Sequence, residues 1–184
     1  FESHIDGISH FLTPEISMEI KRSLGADIIM AFDVCPPGDA TKETVISAVD
    51  QTTKWIKRCK DYLDSSQAPY DWNQTMFPII QGGIYPELRK NSVEEMVPYS
   101  TCGIGIGGLA VGEDKMAMFE NIAMLNELLP KDQPRYLMGV GRPTDLVVSV
   151  QNGVDMFDCV LPTRNGRNGQ LFTSQGVINL SLIH

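Results

Sequence analysis

The sequence predicts an α/β protein built on parallel strands, and three observations support this prediction. Apolar runs of strand length alternate repeatedly with amphipathic stretches of helical period. These runs end in polar or glycine-rich segments, as buried parallel strands do before their loops. No Gly-x-Gly-x-x-Gly follows the first run and no Walker loop is present, which disfavours a nucleotide-cofactor sheet. Periodicity alone does not distinguish a barrel from an open doubly wound sheet.

The first helix is predicted to begin after Thr13, an N-capping residue type, with Pro14 at its first position and Gly25 at its end. Its predicted apolar face consists of Ile16, Ile20 and Leu24. The apolar run 27–32 then forms the first predicted strand, which places Asp33 at the carboxyl end of that strand.

The remaining strand and helix units follow the same plan. The predicted elements are a long helix over 42–63, a strand at 77–80, a helix from Pro86 to Met96, a strand at 104–112, a helix from 114 to 129, a strand at 135–141 and a helix from 143 to 153. A last apolar strand carries Asp158, and a hairpin is predicted from 171–173 and 177–179.

Asp158 lies in the apolar run Met156–Leu161, ahead of a predicted Gly/Asn/Arg loop. A buried carboxylate without a partner is costly or has a raised pKa, and such a residue is found mainly where it does chemistry. A structural ion pair with Arg164 or Arg167 is the alternative interpretation, and this stretch alone leaves both open.

The predicted strand ends present a set of groups suited to a flat, polar heterocycle. This set comprises Asp33, Cys35, Gln81, Gly107, Gly108, Met138 and Asp158. A carboxylate can accept two parallel N–H bonds, an amide and a backbone N–H can bind a carbonyl oxygen, and a methionine can cover the ring. The alternatives are a tight turn at the two glycines and plain core packing for Met138.

Composition restricts the class of protein. With 42% apolar and 21% charged residues among 184, disordered and fibrous classes are excluded. The net charge of −8 disfavours a generally basic nucleic-acid-binding surface, so any RNA contact must be local. We interpret the Lys54–Lys60 cluster as the solvated face of a helix. Four widely spaced cysteines suggest neither zinc ligation nor disulfides and fit a reducing cytoplasm, and no membrane span or signal peptide is found.

One stretch carries a family resemblance. Gly-Val-Asp-Met-Phe-Asp-Cys-Val-Leu-Pro-Thr-Arg at 153–164, with Gly-Arg-Asn-Gly at 166–169, closely resembles the nucleophile segment of tRNA-guanine transglycosylases, also called queuine tRNA-ribosyltransferases. Other segments match in chain order from Phe1 to about Leu180, whereas Ser181–His184 no longer do. The resemblance implies a (β/α)8 TIM barrel, incomplete in this chain, with residues 1–184 forming part of a single catalytic domain that is cut at both ends.

The resemblance also implies roles for individual residues. Asp158 would attack C1′ of the target guanosine and displace guanine, leaving a covalent tRNA intermediate that the incoming base opens. The residues implied to bind the base are Asp33, Cys35, Gln81, Gly107, Gly108, Leu109, Ala110, Val111 and Met138. Those implied to lie by the RNA backbone are Thr163, Arg164, Asn165, Gly166 and Arg167.

Cys35 and Val111 resemble the bacterial type of enzyme, whose pocket suits the aminomethyl-deazaguanine preQ1 rather than queuine. The implied partners are preQ1 or guanine, a second copy in a homodimer, and tRNAs for aspartate, asparagine, histidine and tyrosine with GUN anticodons. The reaction would be a pentosyl transfer in queuosine biosynthesis, in the cytoplasm.

Two parts of the family pattern are absent from these residues. One is a second catalytic aspartate, a proposed general acid/base. The other is a Zn²⁺ module of three cysteines and one histidine, so no metal ligand is predicted within this chain. We expect the 184-residue chain alone to be inactive and poorly folded, because a barrel without its first strands has exposed sheet edges.

Three other functions agree less well with the sequence. A non-catalytic partner subunit would have no need of carboxylates at strand ends, and an unrelated aldolase-like barrel would require a lysine at a strand end. A relative that inserts preQ0 would carry further RNA-binding domains.

Overall fold

The structure, a computed structural model, describes residues 2–180. The helices are α1 (Pro14–Leu24), α2 (Lys42–Ser65), α3 (Pro86–Met96), α4 (Lys115–Leu128), α5 (Pro143–Gln151) and α6 (Leu161–Arg167), with one 3-10 turn at Val97–Tyr99. The strands are β1 (Ile28–Met30), β2 (Thr75–Phe77), β3 (Ile79–Ile80), β4 (Ile104–Ile106), β5 (Arg135–Leu137), β6 (Met156–Phe157), β7 (Gln170–Thr173) and β8 (Gly176–Asn179).

The strands from β1 to β6 are parallel and pair in chain order. One sheet has the order β1-β2 and a second has the order β3-β4-β5-β6. A helix lies between each two successive strands from β1 to β6, except between β2 and β3. The predicted α/β class with parallel strands is therefore confirmed. Because parallel strands present their carboxyl ends at one edge, the residues that follow β1, β3, β4, β5 and β6 share that edge.

The strand predicted at 77–80 is divided in two by Pro78. Proline has no N–H to donate to a sheet ladder, so β2 ends at Phe77 and β3 begins at Ile79. The carbonyl of Pro78 still accepts a hydrogen bond from the Gly105 N–H at 2.8 Å. The break transfers the chain from pairing with β1 to pairing with β4.

Helix α1 has the predicted ends but not the predicted buried face. The Thr13 hydroxyl accepts a bond from the Ile16 N–H at 3.3 Å, and Gly25 closes the helix at φ +70°. The three predicted apolar residues are exposed, at 38% for Ile16, 47% for Ile20 and 78% for Leu24. Met18 is fully buried instead, because α1 packs against α2 on that side.

The core lies between the strands and the helices that cover them. Its fully buried members include Met18, Ile56, Cys59, Ile80, Met96, Leu125 and Leu137. The predicted solvated face of α2 is confirmed, since Lys54, Lys57 and Arg58 are exposed and Arg58 makes a two-pronged ion pair with Glu15 at 2.7 and 2.6 Å. All four cysteines are free thiols. Among residues 2–180, no helix is long and apolar enough to cross a bilayer.

The last third of the chain corrects one prediction and confirms another. The Gly/Asn/Arg segment is helix α6 rather than a loop, since Pro162 in its first turn favours a helical start. The predicted hairpin forms from β7 and β8, with Phe172 opposite Val177. Ser181–His184, where the resemblance stops, lie outside the described residues.

Gly103 gives a test of packing beneath the sheet. A Cβ at Gly103 would overlap the ring of Phe77, which is fully buried. Gly103→Ala should lower the free energy of unfolding by about 1–3 kcal/mol, because a buried ring must move. Urea denaturation measures this change. Gly166→Ala is the control, since nothing lies within 4 Å of its Cβ position and its helix should gain up to about 1 kcal/mol. Equal stability of Gly103→Ala and the unmodified protein would contradict the packing described.

Candidate active site

Asp33 and Gln81, which follow β1 and β3, are in direct contact. Gln81 Nε2 donates to Asp33 Oδ2 at 2.6 Å. The Gln81 side chain is fully buried, its backbone N–H donates to Ser92 Oγ at 3.0 Å, and its Oε1 has no partner in the described structure. Burial raises the pKa of Asp33, and the Gln81 hydrogen bond and the charge of Lys21 oppose that rise only in part.

Gly107 and Gly108, which follow β4, lie against the same glutamine. A Cβ on Gly107 would stand 2.7 Å from Gln81 Nε2, and one on Gly108 would lie closer still to Gln81 Oε1. Gly108 also has φ +64°. The two glycines therefore make room for the Gln81 side chain, a reason that neither interpretation from the sequence included.

Arg89, on α3, donates hydrogen bonds to the segments that follow β3 and β4. Its side chain is fully buried and donates to four carbonyl oxygens, those of Gly83 at 2.8 Å, Ile80 at 3.3 Å, Gly107 at 2.8 Å and Gly108 at 2.9 Å. Burial lowers the pKa of Arg89 to about 10, so the guanidinium remains charged at neutral pH. The loops after β3 and β4 are thus joined through the guanidinium of Arg89.

The loop after Gly108 is folded around Glu113. The Glu113 carboxylate accepts hydrogen bonds from the N–H groups of Ala110 and Val111, the second at 2.9 Å. Ala110 has φ +60°, a left-handed conformation that is strained for a residue with a Cβ. The Val111 carbonyl accepts from the Gly38 N–H at 3.2 Å, whereas Cys35 is exposed with only a long contact from its thiol to the Pro36 carbonyl.

Asp158, which follows β6, is exposed rather than buried. Its Oδ1 accepts from the Tyr136 hydroxyl at 2.7 Å and from the Gly139 N–H at 2.9 Å. Neither Arg164 nor Arg167 forms an ion pair with it within residues 2–180. The prediction of a buried carboxylate is wrong because β6 contributes only two residues before the chain reaches the surface.

Tyr136 keeps its proton in this arrangement. Burial and the hydrogen bond to Asp158 raise the pKa of Tyr136 to about 12, so the phenol is a donor at neutral pH. Both donors contact Oδ1, which leaves Oδ2 of Asp158 without a partner among the described residues.

The other predicted site residues follow β4 and β5 or lie on α6. Met138, which follows β5, is half-buried, and its N–H donates to the Ile106 carbonyl at 3.2 Å. Leu109 is buried. On α6, the exposed members of the predicted RNA-contacting set are Thr163, Arg164, Gly166 and Arg167. Asn165 differs from them in being buried.

Arg89, Glu113 and Tyr136 were not predicted from the sequence. An arginine between Leu88 and Val93 on an otherwise apolar helix face was a signal for Arg89, since buried arginines require several acceptors. Tyr136 carried the signal of a phenol within a parallel strand, where buried hydroxyls need partners.

The loops after β3 and β4 are closely packed, whereas a groove of about 570 Å³ lies beside Val34, Pro36 and Pro37, against α2. The cavity between Pro37, Tyr85, Gly108 and Glu113 measures about 10 Å³, whereas a groove of about 460 Å³ lies between α2 and α3, away from this edge. Within residues 2–180, three or more His, Cys, Asp or Glu side chains do not come together as a metal site.

Comparison with known proteins identifies the family of this chain. The family model for queuine tRNA-ribosyltransferase matches residues 1–183. Curated relatives described as queuine tRNA-ribosyltransferases include the protein of Desulforamulus reducens, which is 50% identical over 98% of this chain and 47% of the relative. The protein of Halothermothrix orenii is 51% identical over 96% of this chain and 46% of the relative. A third, from Dictyoglomus turgidum, is 49% identical over 98% and 46%. The chain spans about half the length of the curated relatives it matches. The match over nearly all its residues shows that this chain belongs to the queuine tRNA-ribosyltransferase family.

Proposed function

We propose that this chain carries the base-exchange site of a tRNA-guanine transglycosylase, which replaces guanine at wobble position 34 of tRNA with preQ1. Two features at the same strand edge carry the proposal: the contact of Asp33 with the buried Gln81, and the exposed carboxylate of Asp158. The first group suits recognition of a base and the second suits attack on its ribose.

Recognition follows from the groups that are free to bind. Guanine presents one acceptor oxygen beside two adjacent N–H donors. Asp33 can accept the two parallel N–H bonds, and the amide of Gln81 and backbone N–H groups of the β4 loop can donate to the oxygen. Met138, which is half-buried after β5, would cover the ring.

The chemistry assigned to Asp158 is nucleophilic substitution in two steps. Its free Oδ2 bonds to C1′, and the bond from C1′ to N9 breaks with its electron pair leaving on guanine. The incoming base then uses its own ring nitrogen to displace the carboxylate, which restores Asp158. This is the logic of a retaining glycosidase, where one substitution becomes two. The departing guanine takes up one proton at N9 and the incoming base releases one from its ring nitrogen, so the two steps together consume no proton.

The remaining parts of the proposal concern substrate and setting. Cys35 and Val111 favour preQ1 over queuine, and GUN-anticodon tRNAs would be held by Arg164 and Arg167 on the exposed face of α6. We propose a TIM barrel as the complete fold, with the parallel strands paired in chain order as part of its wall. A homodimer in the cytoplasm is the proposed working state. The described residues do not fit a zinc site, and no step above uses one.

A non-catalytic tRNA-binding subunit of the same family is the alternative. It would need no exposed carboxylate held by two donors, which is the feature that favours the enzyme.

Asp158→Asn should abolish both the covalent intermediate and base exchange, because an amide is a poor nucleophile. The complete protein is incubated with GUN-anticodon tRNA and labelled guanine or preQ1, and the mixture is run on denaturing gels. Unmodified protein should give a protein–tRNA adduct that the variant lacks. Intact tRNA binding with no adduct and no exchange in the unmodified protein would instead favour the subunit.

Tyr136→Phe should slow exchange by about five- to tenfold, because Asp158 loses one of the two hydrogen bonds that orient it. The Gly139 N–H remains, so activity should not vanish. Steady-state kinetics measures kcat for both proteins. Tyr99→Phe, at a tyrosine in the 3-10 turn, is the control and should leave kcat unchanged. An unaltered kcat in Tyr136→Phe would contradict the role given to the phenol.

Asp33→Asn should raise thermal stability near neutral pH while it abolishes guanine binding. The raised pKa means that the folded state binds this proton more tightly than the unfolded state, so stability falls as pH rises from 3.8 through the folded-state pKa. The amide has no ionisation cost, so its advantage in Tm should shrink as pH is lowered through that range. Asp39→Asn, at an exposed residue, should show neither effect. A lower Tm for Asp33→Asn at pH 7 would contradict the assignment.

A further inference from the structure

Arg89 is a buried cation whose partners are all main-chain carbonyls. Its Nη1 and Nη2 donate to the Gly107 and Gly108 oxygens at 2.8 and 2.9 Å, and its Nε donates to the Gly83 oxygen at 2.8 Å. Within residues 2–180 it forms no ion pair. A buried guanidinium without a carboxylate needs most of its donors satisfied, so these carbonyls are held in fixed directions.

Fixing these two carbonyls also fixes two N–H groups. In a trans peptide the C=O and the following N–H point to opposite sides of the plane, and the described chain has no cis bond. The N–H groups of Gly108 and Leu109 therefore point away from Arg89. Both residues are buried, yet neither N–H has a hydrogen-bond partner in the described structure. The next two N–H groups, those of Ala110 and Val111, are already occupied by Glu113.

We propose that Arg89 is a positioning residue that aims the Gly108 and Leu109 N–H groups at the oxo group of the bound base. This inference rests on the proposed function for the identity of the base. Arg89 does not touch the base, and it acts only through the two peptide planes that it holds. Two aligned N–H donors on buried residues would bind an acceptor oxygen much as an oxyanion hole does.

Arg135 supplies a matched control within the same chain. It is also buried, at 5% exposure, and its guanidinium donates to the carbonyls of Leu129, Pro130 and Gly153. These lie at the amino end of β5, opposite the candidate site. A lysine at either position loses comparable hydrogen bonds, but only the lysine at position 89 releases the peptides of Gly107 and Gly108.

The test measures binding of guanine and of 6-thioguanine to the complete protein by calorimetry. The two purines differ only at the acceptor atom, and sulfur is the weaker acceptor. Unmodified protein and Arg135→Lys should both prefer guanine by about tenfold. Arg89→Lys should bind guanine about tenfold more weakly, with the preference reduced towards one and tRNA affinity unchanged. A general loss of structure would weaken both purines equally and leave their ratio intact.

Several results would overturn the proposal. These are guanine binding by Arg89→Lys at the unmodified affinity, an equal loss in Arg135→Lys, or no binding of either purine by the unmodified protein. If Arg89→Lys does not fold, the affinities of the unmodified protein for the two purines test the proposal. Equal affinity for guanine and 6-thioguanine would mean that no aligned N–H donors bind the oxygen, and would overturn the proposal. A base-exchange assay on the unmodified protein separates the two ideas. Absent exchange with the predicted binding pattern would reject the enzyme activity and leave the role of Arg89 standing.

Discussion

The buried guanidinium of Arg89 is the constraint on which the rest of the strand-end edge depends. A charge in the interior is stable only where its donors are satisfied, and here the acceptors are the carbonyls of the two loops that follow β3 and β4. The loops cannot move independently without leaving a buried donor unpaired, which costs about 1–3 kcal/mol per group. The Gln81 side chain then lies against the backbone of residues 107 and 108, and only glycine fits at these two positions. One arginine on α3 thereby determines which residue types the neighbouring loops can contain.

The two halves of the site are built differently, and their burial explains why. In the first half Gln81 is fully buried and Asp33 is half-buried, with a raised pKa for the Asp33 carboxyl and an unpaired Gln81 amide oxygen, a costly state that a base with N–H donors would relieve. Asp158 is exposed and is oriented by one phenol and one main-chain N–H. A small planar base can reach a group that a larger substrate cannot, whereas a ribose within a tRNA needs an accessible nucleophile. The difference in exposure matches the difference in size between the two groups that would have to reach them.

Local chemistry made much of the fold predictable and little of the packing. Thr13 and Gly25 mark the ends of α1 in the sequence, and Pro86 and Pro143 mark the starts of α3 and α5, because capping and proline effects act within one turn. The buried face of α1 was not predictable, because the choice of Met18 over Ile16 is made by α2, more than twenty residues away. The strand ends that carry Asp33, Gln81 and Asp158 followed from the repeating pattern. The hydrogen bonds to Asp158 and those from Arg89 to main-chain carbonyls were not predictable. They join different elements, and the periodicity of one element does not show which other element it contacts.

Strain in the β4 loop is the last consequence of this arrangement. Ala110 is held at φ +60°, a conformation that costs about 1–2 kcal/mol for a residue with a Cβ. Glu113 offsets that cost by accepting from the N–H groups of Ala110 and Val111 together. The chain then passes from peptides fixed by a cation, at Gly107 and Gly108, to peptides fixed by an anion within two residues. Carbonyls point towards Arg89 on one side and N–H groups point towards Glu113 on the other, so the Gly108 and Leu109 N–H groups between them are left without an internal acceptor. The loop is held by the buried Arg89 and the half-buried Glu113, and two buried N–H donors within it remain unpaired, so it is arranged for an acceptor that arrives from outside the chain.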